Sequence, residues 1–180
     1  MNNVAVKLAL FLILTAGLAG CSTIDVRQYA ANKPPLDLFA YFTGTTKGWG
    51  IVQDRGGKLL RQFVVDIEGT IDENGNLVLD EDFFWSDGEE TKRIWTITKT
   101  GTTTYSGTAD DIIGEATGES AGNALNWGYV VALEVDGSTW NITFDDWMFL
   151  QPDGILLNRA EMKKFGFRVG EVTIAFQKIN

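Results

Sequence analysis

Alternation with a period of two, broken at short intervals by glycine turns, constrains this chain more than any other feature. From Leu36 onward apolar residues fall on every second position, the spacing of strands with one buried face, rather than the 3.6-residue spacing of a helix. In Gln62–Ile71, Phe63, Val65, Ile67 and Ile71 share one face, and Gln62, Asp66, Glu68 and Thr70 share the other. Asn74-Gly75 follows, a pair that accepts positive φ and closes a tight hairpin. Leu77–Trp85 returns, Asp87-Gly88 turns again, and Thr91–Lys99 puts Trp95 and Ile97 on one face with Ile94 on the other. Thr102–Ala109 is a β-branched run, Asp110–Ile113 reads as a short helical turn, and Gly114–Gly122 as a glycine-rich strand or loop. Ala124–Val135 and Ser138–Leu150 flank the turn Asp136-Gly137, with Trp140, Ile142, Phe144 and Met148 on one face. Ile155–Lys164 and Gly170–Lys178 form the last pair, with Val172, Ile174 and Phe176 aligned.

Strands joined by tight turns are antiparallel neighbours. One sheet of about eight to ten strands either splits into a sandwich or closes on itself, and closure removes its exposed edges. The expected fold is therefore all-β: a single closed antiparallel up-and-down β-barrel of about 8–10 strands, with a β-sandwich as the alternative. A transmembrane barrel would need lipid-facing apolar residues on every strand, which this pattern does not supply.

Two absences narrow the chemistry. The 180 residues contain no histidine, which removes Ser-His-Asp and Cys-His catalysis and imidazole zinc sites. The single cysteine, Cys21, has no partner within the chain for a disulfide. Net charge is −9, which disfavours nucleic-acid binding and adhesion to anionic headgroups. Any catalysis would rest on carboxylates, Tyr, Ser/Thr, Lys or Arg, and no cofactor is expected.

The first twenty residues read as an export signal. Lys7 is followed by an apolar run from Leu8 to Leu14, then by small residues leading into Leu18-Ala19-Gly20-Cys21. The run is too short for a comfortable membrane span of roughly 20 residues. Its end resembles a bacterial lipobox, which implies cleavage before Cys21 and acylation of that residue. Ser22, rather than Asp, implies by the same resemblance an outer-membrane destination. The expected organisation is a lipoprotein signal peptide over 1–20, a lipidated N-terminus and tether over 21–35, stiffened by Pro34-Pro35, and a β-barrel domain over 36–180.

Several segments carry a family likeness. They are Gly48-Trp49-Gly50, Asp54-Arg55-Gly56-Gly57, Arg93-Ile94-Trp95 and Tyr105 through Gly114, then Gly122-Asn123-Ala124-Leu125, Asp145-Asp146-Trp147-Met148 and Leu157-Asn158-Arg159-Ala160. Across the expected mature domain the chain resembles a family of bacterial lipoproteins catalogued as domain of unknown function 3833, a likeness that implies no activity. In outline it is also similar to the lipocalin and calycin group, where a Gly-x-Trp near the first strand meets an Arg at the barrel's closed end. Here Trp49 directly follows Gly48, and Arg159 or Arg168 is the candidate partner.

Candidate constellations are few. Asp72-Glu73-Asn74-Gly75-Asn76 superficially resembles a calcium loop, but Leu77 and Phe83 occupy the positions that need Gly and Glu, so it reads as a hairpin turn. Asp80-Glu81-Asp82, Glu89-Glu90 and Asp110-Asp111 read as solvated acidic surface. Asp145-Asp146 interrupts an apolar strand, so one of the two must face inward, with Arg93 or Arg159 as the expected ion-pair partner. Trp95, Trp127, Tyr129, Trp140 and Phe144 alternate along central strands and either pack a filled core or line a cavity. In the second case Arg93, Trp95, Trp127, Tyr129, Trp140, Phe144, Asp146 and Arg159 are the candidate ligand-binding residues, for a small apolar or amphipathic ligand.

The leading expectation is an outer-membrane-anchored envelope lipoprotein, facing the periplasm, that holds such a ligand. Its partner is the lipid bilayer, through Cys21. The alternatives are a structural lipoprotein with a filled barrel, and a carboxylate-dependent hydrolase or isomerase acting on envelope lipids or glycans.

Overall fold

The computed structural model describes residues 24–135 and 137–179. Cys21 and the expected signal peptide lie outside the described residues.

Ten antiparallel strands form a closed barrel in which each pairs with its neighbours in sequence and β1 pairs with β10. They are β1 (Gly44–Asp54), β2 (Leu59–Ile71), β3 (Leu77–Trp85), β4 (Glu90–Lys99), β5 (Thr104–Thr108), β6 (Ala116–Ala121), β7 (Ala124–Val135), β8 (Ser138–Leu150), β9 (Leu156–Lys164) and β10 (Phe167–Lys178). The seam runs from Thr46↔Lys178 to Asp54↔Gly170, so no sheet edge is left along β1 or β10. The expected up-and-down order is the observed one.

The turns follow from their residues. At Asp72–Asn76 the Asp72 carboxylate accepts from the backbone N–H groups of Asn74 (2.9 Å) and Asn76 (2.8 Å), and Gly75 takes φ +80°. The segment is a hairpin turn, as its sequence implies.

One end of the barrel is plugged. The period-two reading from Leu36 gives no helix there, yet Leu38–Phe42 forms a short one, α1. Asp37 caps it by accepting from the N–H groups of Phe39 (2.9 Å) and Ala40 (3.1 Å). Leu38, Tyr41 and Phe42 are buried, and Lys178 Nζ donates to the carbonyls of Ala40 (3.0 Å) and Thr43 (2.8 Å). One helical turn is too short to show a 3.6-residue period, and only the barrel end makes it stable. The plug takes the place of the Trp–Arg closure suggested by the calycin likeness. Trp49 faces outward and is 43% exposed, while Arg159 and Arg168 both pair with Glu171.

Gly69 makes the plug possible. It lies on the inner face of β2, and a Cβ there would sit 1.7 Å from the carbonyl oxygen of Phe42. Gly69→Ala should destabilise the fold by about 2–3 kcal/mol, because the obstacle is backbone and the helix must shift. A urea midpoint equal to wild type would refute the close approach.

The described chain ahead of α1 is seated on the barrel. A 3-10 turn, Val26–Tyr29, buries Val26, and Tyr29 packs edge-on against Trp147 (5.9 Å) and Phe149 (5.2 Å). Leu36 N–H donates to Gly122 O (2.8 Å), fixing this segment beside the β6–β7 turn at the plugged end.

Residues 110–113 depart from the expected helical turn. Ile112 bridges to Val131, Ile113 N–H donates to Val130 O (2.8 Å), and Ala132 N–H donates to Asp111 O (2.9 Å). The loop thus continues the pairing with β7 where β6 is too short to reach, since unpaired strand groups need partners.

Candidate functional site

The inner faces enclose a cavity of about 740 Å³, within the range of small-molecule sites. Leu38, Phe42, Ile67, Leu79, Leu125 and Phe176 form its floor, all buried. At the other end Leu60, Arg61, Thr91, Lys92, Leu133 and Glu134 line it and are exposed or partly exposed, so the lumen opens there. Small inward residues create the room. Gly48 and Gly50 on β1 leave their space to neighbouring rings; a Cβ at Gly50 would lie 2.1 Å from the Phe63 ring.

Aromatic rings cover two walls. On one, Phe63 lies 4.9 Å from Trp85 and 5.4 Å from Phe83. On the other, Trp95 meets Trp127 (5.9 Å) and Tyr129 (5.6 Å) edge-on, and Tyr129 stacks on Phe144 (5.1 Å). The wall of β9 and β10 is slimmer, with Ala160, Met162, Val172 and Ile174.

A polar cluster interrupts this apolar surface. Glu81, midway along β3, stands opposite Arg93 of β4 in the strand register. Arg93 ion-pairs with Asp111, which the pairing of residues 111–113 with β7 carries over the lumen. Asp146 of β8 accepts from Tyr129 Oη (3.2 Å) and from Asn158 Nδ2. Glu81 and Asp146 are buried, 8% and 5% exposed.

Burial sets the acidity of both carboxyls. It pushes Glu81 up to about 7; Arg93 opposes the shift, and the charges of Asp111, Asp146 and Asp80 add to it. It pushes Asp146 up to about 6, against the hydrogen bonds from Asn158 and Tyr129. Burial, with the Asp146 charge second, holds the Tyr129 phenol well above its usual range. Burial pulls the Arg93 guanidinium down, but Glu81 and Asp111 outweigh it and keep it above its ordinary value.

Of the eight candidate residues, Arg93, Trp95, Trp127, Tyr129, Phe144 and Asp146 line the lumen together. Two do not. Trp140 is 38% exposed, with Lys164 Nζ 2.9 Å from its ring centroid. Arg159 lies on the outer face and donates to Glu171 (2.7 Å). Its parity places it opposite to Asn158 and Ala160, whose inward positions it cannot share.

Asp146 faces inward as the interrupted strand requires, but its partners are Tyr129 and Asn158, not an arginine. Asp145 points outward to Asn126, Trp147 and Lys163. Glu81 and Asp111, which read as solvated surface, belong to the lumen instead. A signal for Glu81 exists in the sequence: it shares parity with Leu77, Leu79, Phe83 and Trp85. Asp111 has none, because its position depends on a loop pairing with a distant strand. Among the described residues no group of three or more Cys, Asp or Glu is placed to hold a metal.

Fold and site together define the class: a closed antiparallel barrel with a deep, aromatic-lined, one-ended cavity. The chain belongs to the protein family of unknown function DUF3833, whose model matches residues 15–178. Among solved structures it is similar to a protein of unknown function of the DUF3598 family from Nostoc punctiforme PCC 73102, with 15% identity and a TM-score of 0.59. The match covers 81% of this chain and 51% of that one, so the chain spans about half the length of that protein. The likeness concerns the fold. A comparison with curated proteins finds no match.

Proposed function

We propose that this protein is an envelope lipoprotein, anchored at the outer membrane through an acylated Cys21, whose barrel holds a small apolar or amphipathic ligand. The observation that carries the ligand reading is the lumen itself, about 740 Å³, floored by α1 and walled mainly by apolar side chains. A barrel serving only as structure would fill that space, since interiors otherwise pack densely.

The anchor reading rests on the Leu18-Ala19-Gly20-Cys21 sequence, and the seat of Val26 gives it a geometric consequence. Five chain steps separate Cys21 from Val26, about 17 Å when fully extended. Val26 is buried in the segment seated at the plugged end, which supports an anchor on that side and a mouth on the far side from the bilayer.

Three measurements test the proposal. Native mass spectrometry of the protein purified from its own host should show a bound small molecule, and lumen tryptophan fluorescence should change when that molecule is removed. Repeated recovery of empty protein, with no fluorescence response to a lipid panel, would sink the ligand reading. Cys21→Ser should leave the barrel folded and release it from the membrane fraction. Full membrane partition of that variant would show that the lipid is not the anchor.

One observation favours a second reading. Glu81 and Asp146 share one cavity and both keep raised pKa values, as an acid–base pair would. A carboxylate-dependent hydrolase or isomerase would convert the ligand it binds, so recovery of a chemically altered ligand after incubation distinguishes it from a carrier.

A further inference from the structure

The polar groups of the lumen are unevenly matched. Every cation that lines it already has a carboxylate beside it: Arg93 has Asp111, Arg61 has Asp87 and Glu89 with only its Nε left unpartnered, and Lys92 has Asp80 and Asp82. The carboxyls outnumber them: Glu81 and Asp111 share the one guanidinium of Arg93, and Asp146 has no cation beside it among the described residues. Glu81 is more than nine-tenths buried, faces the cavity and has Arg93 across the ladder, a guanidinium already ion-paired to Asp111. Asp146 is bonded only by neutral donors, the Tyr129 hydroxyl and the Asn158 amide, which leave its charge uncompensated. The second oxygen of Asp111, Oδ1, is buried with no partner. A buried acceptor without a donor is costly, and a buried charge without a counter-charge more so.

A ligand supplies what this arrangement lacks if its head donates hydrogen bonds and carries positive charge. The lining is also rich in aromatic rings, Trp95 and Tyr129 among them, a surface that tolerates a cation. A carboxylate or phosphate head would enter a site with no unengaged cation and would have to keep Glu81 and Asp146 protonated. Building on a ligand-holding lumen, we propose that this cavity selects amphiphiles with a protonated amine head on an apolar body, and rejects anionic ones.

The test is a matched series with one ten-carbon chain: decylamine, decanol and decanoate, each below its micelle concentration. Binding to the folded protein is followed by tryptophan fluorescence and calorimetry at pH 8. Decylamine should bind at least about tenfold more tightly than decanoate, with decanol between them. Its binding should also tighten from pH 5 to pH 8, as the lumen carboxyls ionise. Glu81→Gln, a near-isosteric change, should reduce the amine-to-carboxylate ratio several-fold, and adding Asp146→Asn should bring it close to one. Decanoate binding as tightly as decylamine, or a ratio unchanged in the double variant, would overturn the amine selectivity and leave a ligand-holding lumen standing. Failure of all three compounds to bind would instead remove the lumen reading and the selectivity with it.

Discussion

Trp127→Ala should lower the folding free energy by about 3–5 kcal/mol, the largest loss expected from a single side chain of this barrel. Trp127 is 5% exposed, and its indole fills a seat made by two glycines on adjacent strands. A Cβ at Gly118 would lie 2.1 Å from the indole, and one at Gly107 would lie 2.9 Å from it. Trp95 closes the seat edge-on at 5.9 Å. Truncation removes the burial of a large ring and leaves a void that the two glycines cannot fill. The surrounding strands belong to a closed barrel, so they cannot collapse inward without breaking their own ladders. Urea denaturation should show an earlier midpoint with an unchanged slope. A loss under about 1 kcal/mol would mean that the indole is not packed as described.

The second large effect concerns pH. Glu81→Gln should stabilise the protein above pH 7 and leave it unchanged near pH 4. The carboxyl has an ordinary value of 4.5 and a folded value of about 7. Below the first value both folded and unfolded chains hold the proton, and no difference arises. Between the two values the folded protein keeps a proton that the unfolded chain has released, so stability falls as pH rises. Above about 7 the full difference applies, on the order of 3 kcal/mol. Burial sets this shift; of the charged groups facing Glu81, Arg93 across the ladder opposes it, while Asp111 from the β5–β6 loop, Asp146 from β8 and Asp80 beside Glu81 on β3 add to it. The amide of the Glu81→Gln variant cannot ionise, so that slope disappears. A shallower one remains from Asp146, whose folded value is about 6 against 3.8. Thermal melts of both proteins from pH 4 to pH 8 measure the difference. Parallel curves across that window would show that Glu81 is solvated and does not face the lumen.

The two effects pull in opposite directions. Trp127 is part of what holds the barrel, while Glu81 is a group the barrel holds at a cost. Burying a carboxyl without full compensation costs stability that packing an apolar ring does not. That contrast separates the lumen carboxyls from the outward acids beside them. Asp80 and Asp82 flank Glu81 on the same strand, point outward and share Lys92.

Most of the barrel is legible in the chain because strand alternation and turn chemistry are local. Leu77–Trp85 and Ala124–Val135 have the bounds read from their residues, and the Asn74-Gly75 turn forms where its dipeptide requires. Parity alone puts Trp95, Trp127, Tyr129, Phe144 and Asp146 on inner faces. It fails for Trp140, which has the inward parity of β8 but sits near the mouth, where Lys164 covers its ring. Arg159 is a charge close in sequence to the expected site, but the parity of its own strand turns it outward.

What the sequence determined by itself is the set of hairpins, their order and the face of most side chains, because these depend on neighbours two to five residues away. Tertiary structure alone decided three things: that Leu38–Phe42 plugs one end, that Asp111 reaches Arg93, and that the interior is left open. Each depends on distances across the closed barrel, between residues far apart in the chain, and no local pattern encodes such a distance. A cavity is the space that ten inner faces fail to fill, and it exists only once the last strand meets the first.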